Sequence, residues 1–221
     1  MEAARRLEPL LHRIVFVGGC ITGLLITDEA ATQVRPTIDV DAIIEIATYP
    51  DYVQLEEELH QLGFTKSTEI ICRWVNQDLV VDLLPTDPQV LGFSNSWYKA
   101  AIKNSTNMMV ENVRLRLISA PYFLATKLVA FENRGKQDYS TSRDLEDIVA
   151  LIDGRPEITS EVSDSEATLR DFLRVKFQNL LSLHQFLDSL PGYLLPDKAS
   201  QQRLPLLLRR MRLISGEERL H

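Results

Sequence analysis

Three aspartates that interrupt apolar runs constrain this chain more than any other feature of its sequence. Ile38-Asp39-Val40-Asp41-Ala42-Ile43-Ile44 and Leu79-Val80-Val81-Asp82-Leu83-Leu84 are rich in branched aliphatic residues, the pattern of β-strands. An isolated carboxylate on such a strand loses hydration at a cost that a metal, another cation or a bound substrate must offset. Residues two apart on a strand share a face, so Asp39 and Asp41 project together while Ile38, Val40 and Ala42 face the other way. With Asp82 from a neighbouring strand they form an oxygen-rich set suited to magnesium or manganese.

Upstream, Ile14-Val15-Phe16-Val17 reads as a short strand that ends at Gly18-Gly19. Glycines let a backbone approach a phosphate closely, and the mostly small and aliphatic residues 20 to 31 predict a helix whose first amides would face that anion. A phosphate cradle beside a metal clamp fits phosphoryl or nucleotidyl transfer. Each piece alone has a plainer reading, Gly-Gly as a packing turn and Asp-x-Asp as an exposed strand edge.

Size and composition leave room for this chemistry. A chain of 221 residues holds one large domain, or one of about 150 residues with a smaller companion. Its 45% hydrophobic and 25% charged residues place it with soluble globular proteins, and a net charge of −7 argues against a surface coated in basic residues for duplex binding. Cys20 and Cys72 have no metal-ligand spacing, which predicts neither a disulfide framework nor a zinc site and suits a reducing, cytoplasmic setting. No secretory signal is apparent, and the longest apolar stretch, near 117 to 131, contains Lys127 and is too short to span a bilayer, so no membrane association is expected. His12, His60, His184 and His221 are scattered without the spacing of a triad or a zinc site.

Further along, residues 51 to 62 carry Tyr52, Leu55, Leu59 and Leu62 at helical spacing after Pro50-Asp51, with Gly63 where a C-cap belongs. Residues 68 to 75 and 79 to 84 suit a hairpin closed by Asn76-Gln77-Asp78. One more strand is predicted over 110 to 118. The pattern then turns helical, at about 120 to 133, 143 to 152, 165 to 190 and 201 to 213. Gly154-Arg155-Pro156 marks the expected boundary between a domain over 1–153 and a helical C-terminal part over 154–221, and the acidic Glu157 to Ser165 stretch reads as a linker or loop.

The order Gly-Gly, helix, Asp-x-Asp, hairpin strand, Asp resembles the DNA polymerase beta nucleotidyltransferase superfamily. The fuller match is to its AbiEii-like group, known as type IV toxin–antitoxin toxins. That group's pattern stands here as Gly18-Gly19, Arg35-Pro36-Thr37-Ile38-Asp39-Val40-Asp41, Asp82, and Lys127 through Arg143-Asp144-Leu145-Glu146-Asp147. The resemblance covers roughly residues 14 to 152. It implies an α/β (α+β) nucleotidyltransferase fold, a short mixed sheet flanked by helices with a helical C-terminal part. It also implies a metal-dependent enzyme that moves a nucleoside monophosphate from an NTP, ATP among the candidates, to a hydroxyl acceptor.

By the same resemblance Asp39 and Asp41 bind Mg2+ or Mn2+, and Asp82 binds one metal and accepts the acceptor's proton. Gly18 and Gly19 hold the nucleotide phosphates, and Arg35 or Thr37 supports the site, although Pro36 restricts Arg35 to an extended backbone. Lys127 and Arg134, two turns apart on one helix face, would flank the triphosphate, with solvated surface charges as the alternative. Asp144 would either orient Lys127 through an ion pair or begin its helix favourably. The acceptor is open among RNA, protein and small molecules, with tRNA or protein favoured, and an antitoxin is a candidate partner. A non-catalytic nucleotide-binding or interaction protein of a toxin–antitoxin system on the same fold is the rival, disfavoured by the presence of all three acids. A phosphatase or nuclease is disfavoured by the Gly-Gly turn. The basic, Leu-rich stretch from 166 onward is read as helical packing in preference to RNA binding, and Trp74 and Trp97 as core or pocket walls.

Overall fold

In a computed structural model the described residues are 1–31, 34–46, 48–134 and 138–218; Thr32 and His221 lie outside them. The backbone gathers into two compact units, residues 1–21 with 36–119 and residues 22–35 with 120–221. Gly154 falls inside the second.

The first unit is built on strands β1 (Ile14–Val17), β2 (Asp39–Ile44), β3 (Thr65–Lys66), β4 (Arg73–Asn76), β5 (Leu79–Pro85), β6 (Thr106–Val110) and β7 (Val113–Leu117). They form a seven-stranded sheet of order β3-β4-β5-β2-β1-β7-β6. It is mixed: β2 pairs antiparallel with β1 and parallel with β5, while β1 pairs parallel with β7. The fold class is therefore the α/β mixed sheet with helices that the resemblance implies. Central β1 is buried throughout, as its unbroken Ile-Val-Phe-Val run requires. In β2, Ala42, Ile43 and Ile44 are buried while residues 39 to 41 are half-buried, so the acids occupy the wetter end of the strand.

The helix Tyr49–Gln61 begins two residues before the expected start at 51. Thr48 accepts a hydrogen bond from the Asp51 amide at 3.3 Å, and Pro50 sits in the first turn. Tyr52, Leu55 and Leu59 fill its buried face, and Gly63 follows with φ +82°. Two strand expectations need correction. The arm predicted over 68 to 75 starts at Arg73, because Ser67 Oγ accepts from the Glu69 and Ile70 amides and holds a turn there. The segment predicted as one strand over 110 to 118 joins two, because Glu111 and Asn112 both adopt positive φ and close a tight hairpin between β6 and β7.

The second unit is helical. Its longer helices are Ala120–Arg134, Arg143–Gly154, Ala167–Leu181 and Leu204–Ser215. The stretch predicted as one helix over 165 to 190 is two, Ala167–Leu181 and His184–Ser189. The expected linker contains the helix Ile158–Ser163, whose Ile158 and Val162 are one turn apart and buried. Following Gly18, the predicted helix over 20 to 31 shrinks to a 3-10 turn, Gly19–Ile21, and a single α turn, Thr22–Leu25. Ile21, Thr22 and Gly23 in succession are poor helix formers, which explains the shortfall.

The basic C-terminal helices are a packing element. Leu169, Leu173, Phe177, Leu207 and Met211 are buried, and two arginines do structural work inside the unit. Arg203 donates to both oxygens of buried Asp153, at 2.8 and 3.0 Å, and to Asp28 at 2.6 Å. Arg210 donates to the carbonyls of Ile152 and Asp153. Among the described residues no helix is long and apolar enough to cross a membrane.

Candidate functional site: an acidic sheet face and a buried ion network

Strand register brings the three aspartates onto one face. Asp39 and Asp41 share it by alternation, and Asp41 is the parallel partner of Asp82 on β5. On the other side of β5, Arg73 of β4 is the antiparallel partner of Asp82, so its side chain rises from the same face. Arg73 Nε donates to Asp82 Oδ1 at 2.8 Å and its Nη2 donates to Asp82 Oδ2 and Asp39 Oδ2, both at 2.8 Å. One guanidinium thus clamps Asp82 with both arms of its fork and bridges to Asp39. The hydrogen bonds that Arg73 donates to Asp82 hold it above the ordinary arginine range, so it stays protonated at any working pH.

The next residue on β4, Trp74, points the other way and is fully buried, as a core wall should be. Cys72, buried near these acids, has its thiol pushed up to about 11, first by burial and then by the charges of Asp82 and Asp41. It is a packing residue rather than a reactive thiol.

Gly18 is tied to the acids by shape. Val17 pairs with Asp41, and the chain then turns at Gly18 with φ +72°. A Cβ at Gly18 would lie 2.0 Å from Asp41 Oδ2 and 2.8 Å from Asp41 Cγ. Only glycine admits both that backbone and that carboxylate. Gly18→Ala is expected to destabilise the protein by about 1–3 kcal/mol, through left-handed strain and displacement of Asp41. A urea melt measures this, and a melt matching the unsubstituted protein would contradict it.

Lys127, Asp144, Arg134 and Arg35 meet in the second unit. Lys127 is buried on the Ala120–Arg134 helix, and its Nζ lies 3.2 Å from Asp144 Oδ1 and 2.6 Å from Asp147 Oδ2. Arg134, with a side chain 70% exposed, reaches back to clamp Asp144 at 2.9 and 2.8 Å. Arg35 Nη2 donates to Asp147 Oδ2 at 3.3 Å, and its Nε makes an ion contact with Glu146 Oε2 at 3.1 Å. Asp147 Oδ1 is buried and has no hydrogen-bond partner among the described residues. A cavity of about 420 Å³ opens in this unit, with Arg35, Glu146, Asp147 and Tyr193 in its lining. Thr37 is half-buried two residues before Asp39, in the first unit.

Burial alone would raise the Asp144 carboxyl; the Arg134 hydrogen bonds and the Lys127 charge outweigh it and hold Asp144 below the usual carboxylate range. A carboxyl lowered on folding contributes stability that is present above its unfolded pKa, about 3.9, and is lost as pH falls through its folded value. The second unit is therefore expected to lose stability below about pH 4. Asp144→Asn should flatten that acid limb in a pH series of denaturant melts.

Arg73 and Asp147 were not among the residues singled out from sequence as ligand-binding. Hairpin arithmetic finds the first: a turn joining Asn76 to Leu79 sets Arg73 opposite Asp82. Asp147 shows itself only as the residue one turn beyond Asp144 on the same helix.

No protein-family model matches the chain, and neither does any curated protein. Solved structures do resemble it. An antigenic nucleotidyltransferase-like protein from Paracoccidioides brasiliensis superposes with a TM-score of 0.50 at 19% identity, over 85% of this chain and 89% of that one. A "putative nucleotidyltransferase from H. pylori" superposes with a TM-score of 0.48 at 14% identity, over 98% of this chain and 96% of that one. At such identity the first likeness speaks for the fold alone, and the fold is nucleotidyltransferase-like.

Proposed function

We propose that this protein is a metal-dependent nucleotidyltransferase that moves a nucleoside monophosphate from an NTP to a hydroxyl acceptor and releases pyrophosphate. The single face of β2 and β5 that carries Asp39, Asp41 and Asp82, with Gly18 packed against Asp41, is the observation that supports it best. The donors suit a divalent cation: all are carboxylate oxygens, and one cation, the Arg73 guanidinium, already lies between two of them. Among the described residues no group of three His, Cys, Asp or Glu side chains is so arranged that it could hold a metal ion, so Asp39, Asp41 and Asp82 would have to turn toward one.

Asp39, Asp41 and Asp82 are the residues that would hold the ion. Bound magnesium or manganese supplies neutralisation of phosphate charge and orientation of the leaving pyrophosphate. Asp82 takes the proton from the acceptor hydroxyl. The acceptor oxygen then bonds to the α-phosphorus as the bond to the pyrophosphate oxygen breaks and pyrophosphate leaves with the electron pair. With only a one-turn helix after it, the Gly18-Gly19 turn contributes close backbone approach to the phosphates rather than a helix dipole. Arg35, Lys127, Arg134 and Asp144 enter as the polar framework of the second unit.

On the motif resemblance, the AbiEii-like group, an antitoxin partner and tRNA or protein as acceptor extend this reading. A second reading, a non-catalytic binding protein on the same fold, is favoured by the Arg73 contacts, which already pair Asp39 and Asp82 with a cation. Each NTP labelled at its α-phosphate, incubated with the protein, Mg2+ or Mn2+ and a total cell extract, tests the choice. Label entering RNA, protein or small molecules supports transfer; label entering none supports the binding protein.

A further inference from the structure

Arg73 does more than satisfy two carboxylates. A divalent cation bound by Asp39, Asp41 and Asp82 would need the oxygens that Arg73 now occupies, since Asp82 gives both of its oxygens to the guanidinium and Asp39 gives Oδ2. Ion and guanidinium would also repel each other across a few ångströms. They therefore compete for the same acids.

The competition is set up to be reversible. The Arg73 side chain is 27% exposed, and its partners Asp39 and Asp82 are 39% and 12% exposed. An arginine with one side in water can swing its charged head outward while its stem stays on the strand, so leaving the acids does not strand a charge in the core. Without it, Asp39, Asp41 and Asp82 would face one another as like charges on one sheet face, a costly state for an empty site. Trp74 anchors β4 in the core from the opposite face, so the strand itself need not move when the side chain does.

We propose that Arg73 is a built-in counter-cation that holds Asp39 and Asp82 paired until a divalent metal displaces it, and so sets the metal concentration at which the site fills. This rests on the nucleotidyltransferase reading of the acids, and it assigns Arg73 a regulatory role in that site rather than a place among the metal ligands.

Calorimetric titration of the full-length protein with Mn2+, in the absence of nucleotide, tests it. Arg73→Gln, which keeps hydrogen-bonding capacity and removes the charge, should bind Mn2+ about ten- to hundredfold more tightly than the unsubstituted protein, the effect of removing one close opposite charge from a carboxylate pair. Arg73→Lys keeps the charge and loses the two-armed clamp, and should fall between them. Thermal melts supply the second readout: the metal-free Arg73→Gln protein should melt lower, and Mn2+ should raise its melting temperature more than it raises that of the unsubstituted protein.

If Arg73 only fastens β4 to β5, Arg73→Gln will melt lower and bind Mn2+ no tighter, which overturns the proposal. In that case Mn2+ binding that disappears in Asp39→Asn/Asp41→Asn leaves the metal-site reading standing. If neither the unsubstituted protein nor Arg73→Gln binds Mn2+ at millimolar concentration, both readings fall together.

Discussion

If the protein transfers nucleotides as proposed, replacing Asp39 and Asp41 together by asparagine is expected to lower that transfer by at least about a thousandfold, because the two positions would supply the charge that a bound ion needs and each tenfold is worth about 1.4 kcal/mol of transition-state stabilisation. The fold should survive. Both side chains lie at the half-buried end of β2, whereas the core of that strand is Ala42, Ile43 and Ile44, which the substitution leaves alone. Removing Asp39 also takes one acceptor from Arg73, which keeps its two-armed clamp on Asp82. The double variant should therefore melt within a few degrees of the unsubstituted protein while losing activity and Mn2+ binding. An active double variant would remove these acids from the chemistry.

The second large effect is on stability. Lys127→Met is expected to cost about 3–5 kcal/mol, the usual price of leaving buried carboxylates without their cation. Lys127 is 7% exposed, and its partners Asp144 and Asp147 are 4% and 1% exposed, so water cannot take over for the missing ammonium. Asp144 keeps Arg134, but among the described residues Asp147 keeps only the 3.3 Å contact from Arg35 and its Oδ1 is already unsatisfied. The loss should show as a large fall in the urea midpoint. Adding Asp147→Asn to Lys127→Met should recover part of it, because the uncompensated charge is then gone. If the double variant is as unstable as the sum of the two single variants, Lys127 and Asp147 are not coupled as the distances require.

The acid face was readable from sequence because strand alternation is strict: once Asp39 and Asp41 lie on a strand, they share a face whatever the rest of the fold does. Gly18 was readable as a turn, but the reason it must be glycine, the carboxylate of Asp41 lying over it, is a tertiary contact. Arg73 escaped notice because an arginine on an amphipathic hairpin looks like a solvated charge until its register opposite Asp82 is counted out. Lys127 reads from sequence as a site residue with a solvated charge as the alternative, and its burial between two carboxylates is a tertiary fact. The nine residues Ala120 to Leu128 are all buried, and that unbroken burial of a whole helix face and its flanks comes from packing that no single-helix pattern shows.

Other failures have simple local causes. Glu111-Asn112 is a weaker turn signal than Asn-Gly, so the β6–β7 hairpin passed for one strand. The acidic composition of 157 to 165 hid the Ile158 and Val162 pair that makes it a helix. Arg203 and Arg210 belong to a segment whose composition suits a solvated basic surface, yet their partners Asp28 and Asp153 lie far away in the chain and turn them into internal ties.

The proposed function has Asp39, Asp41 and Asp82 direct attack at the α-phosphate of an NTP. Parallel reactions with NTP labelled at the α- or the γ-phosphate, in cell extract with Mg2+, test it most directly. The α-label should enter an acceptor, the γ-label should leave only as pyrophosphate, and Asp39→Asn/Asp41→Asn should do neither. Transfer of the γ-label to an acceptor, or α-label transfer undiminished in the double variant, would contradict it.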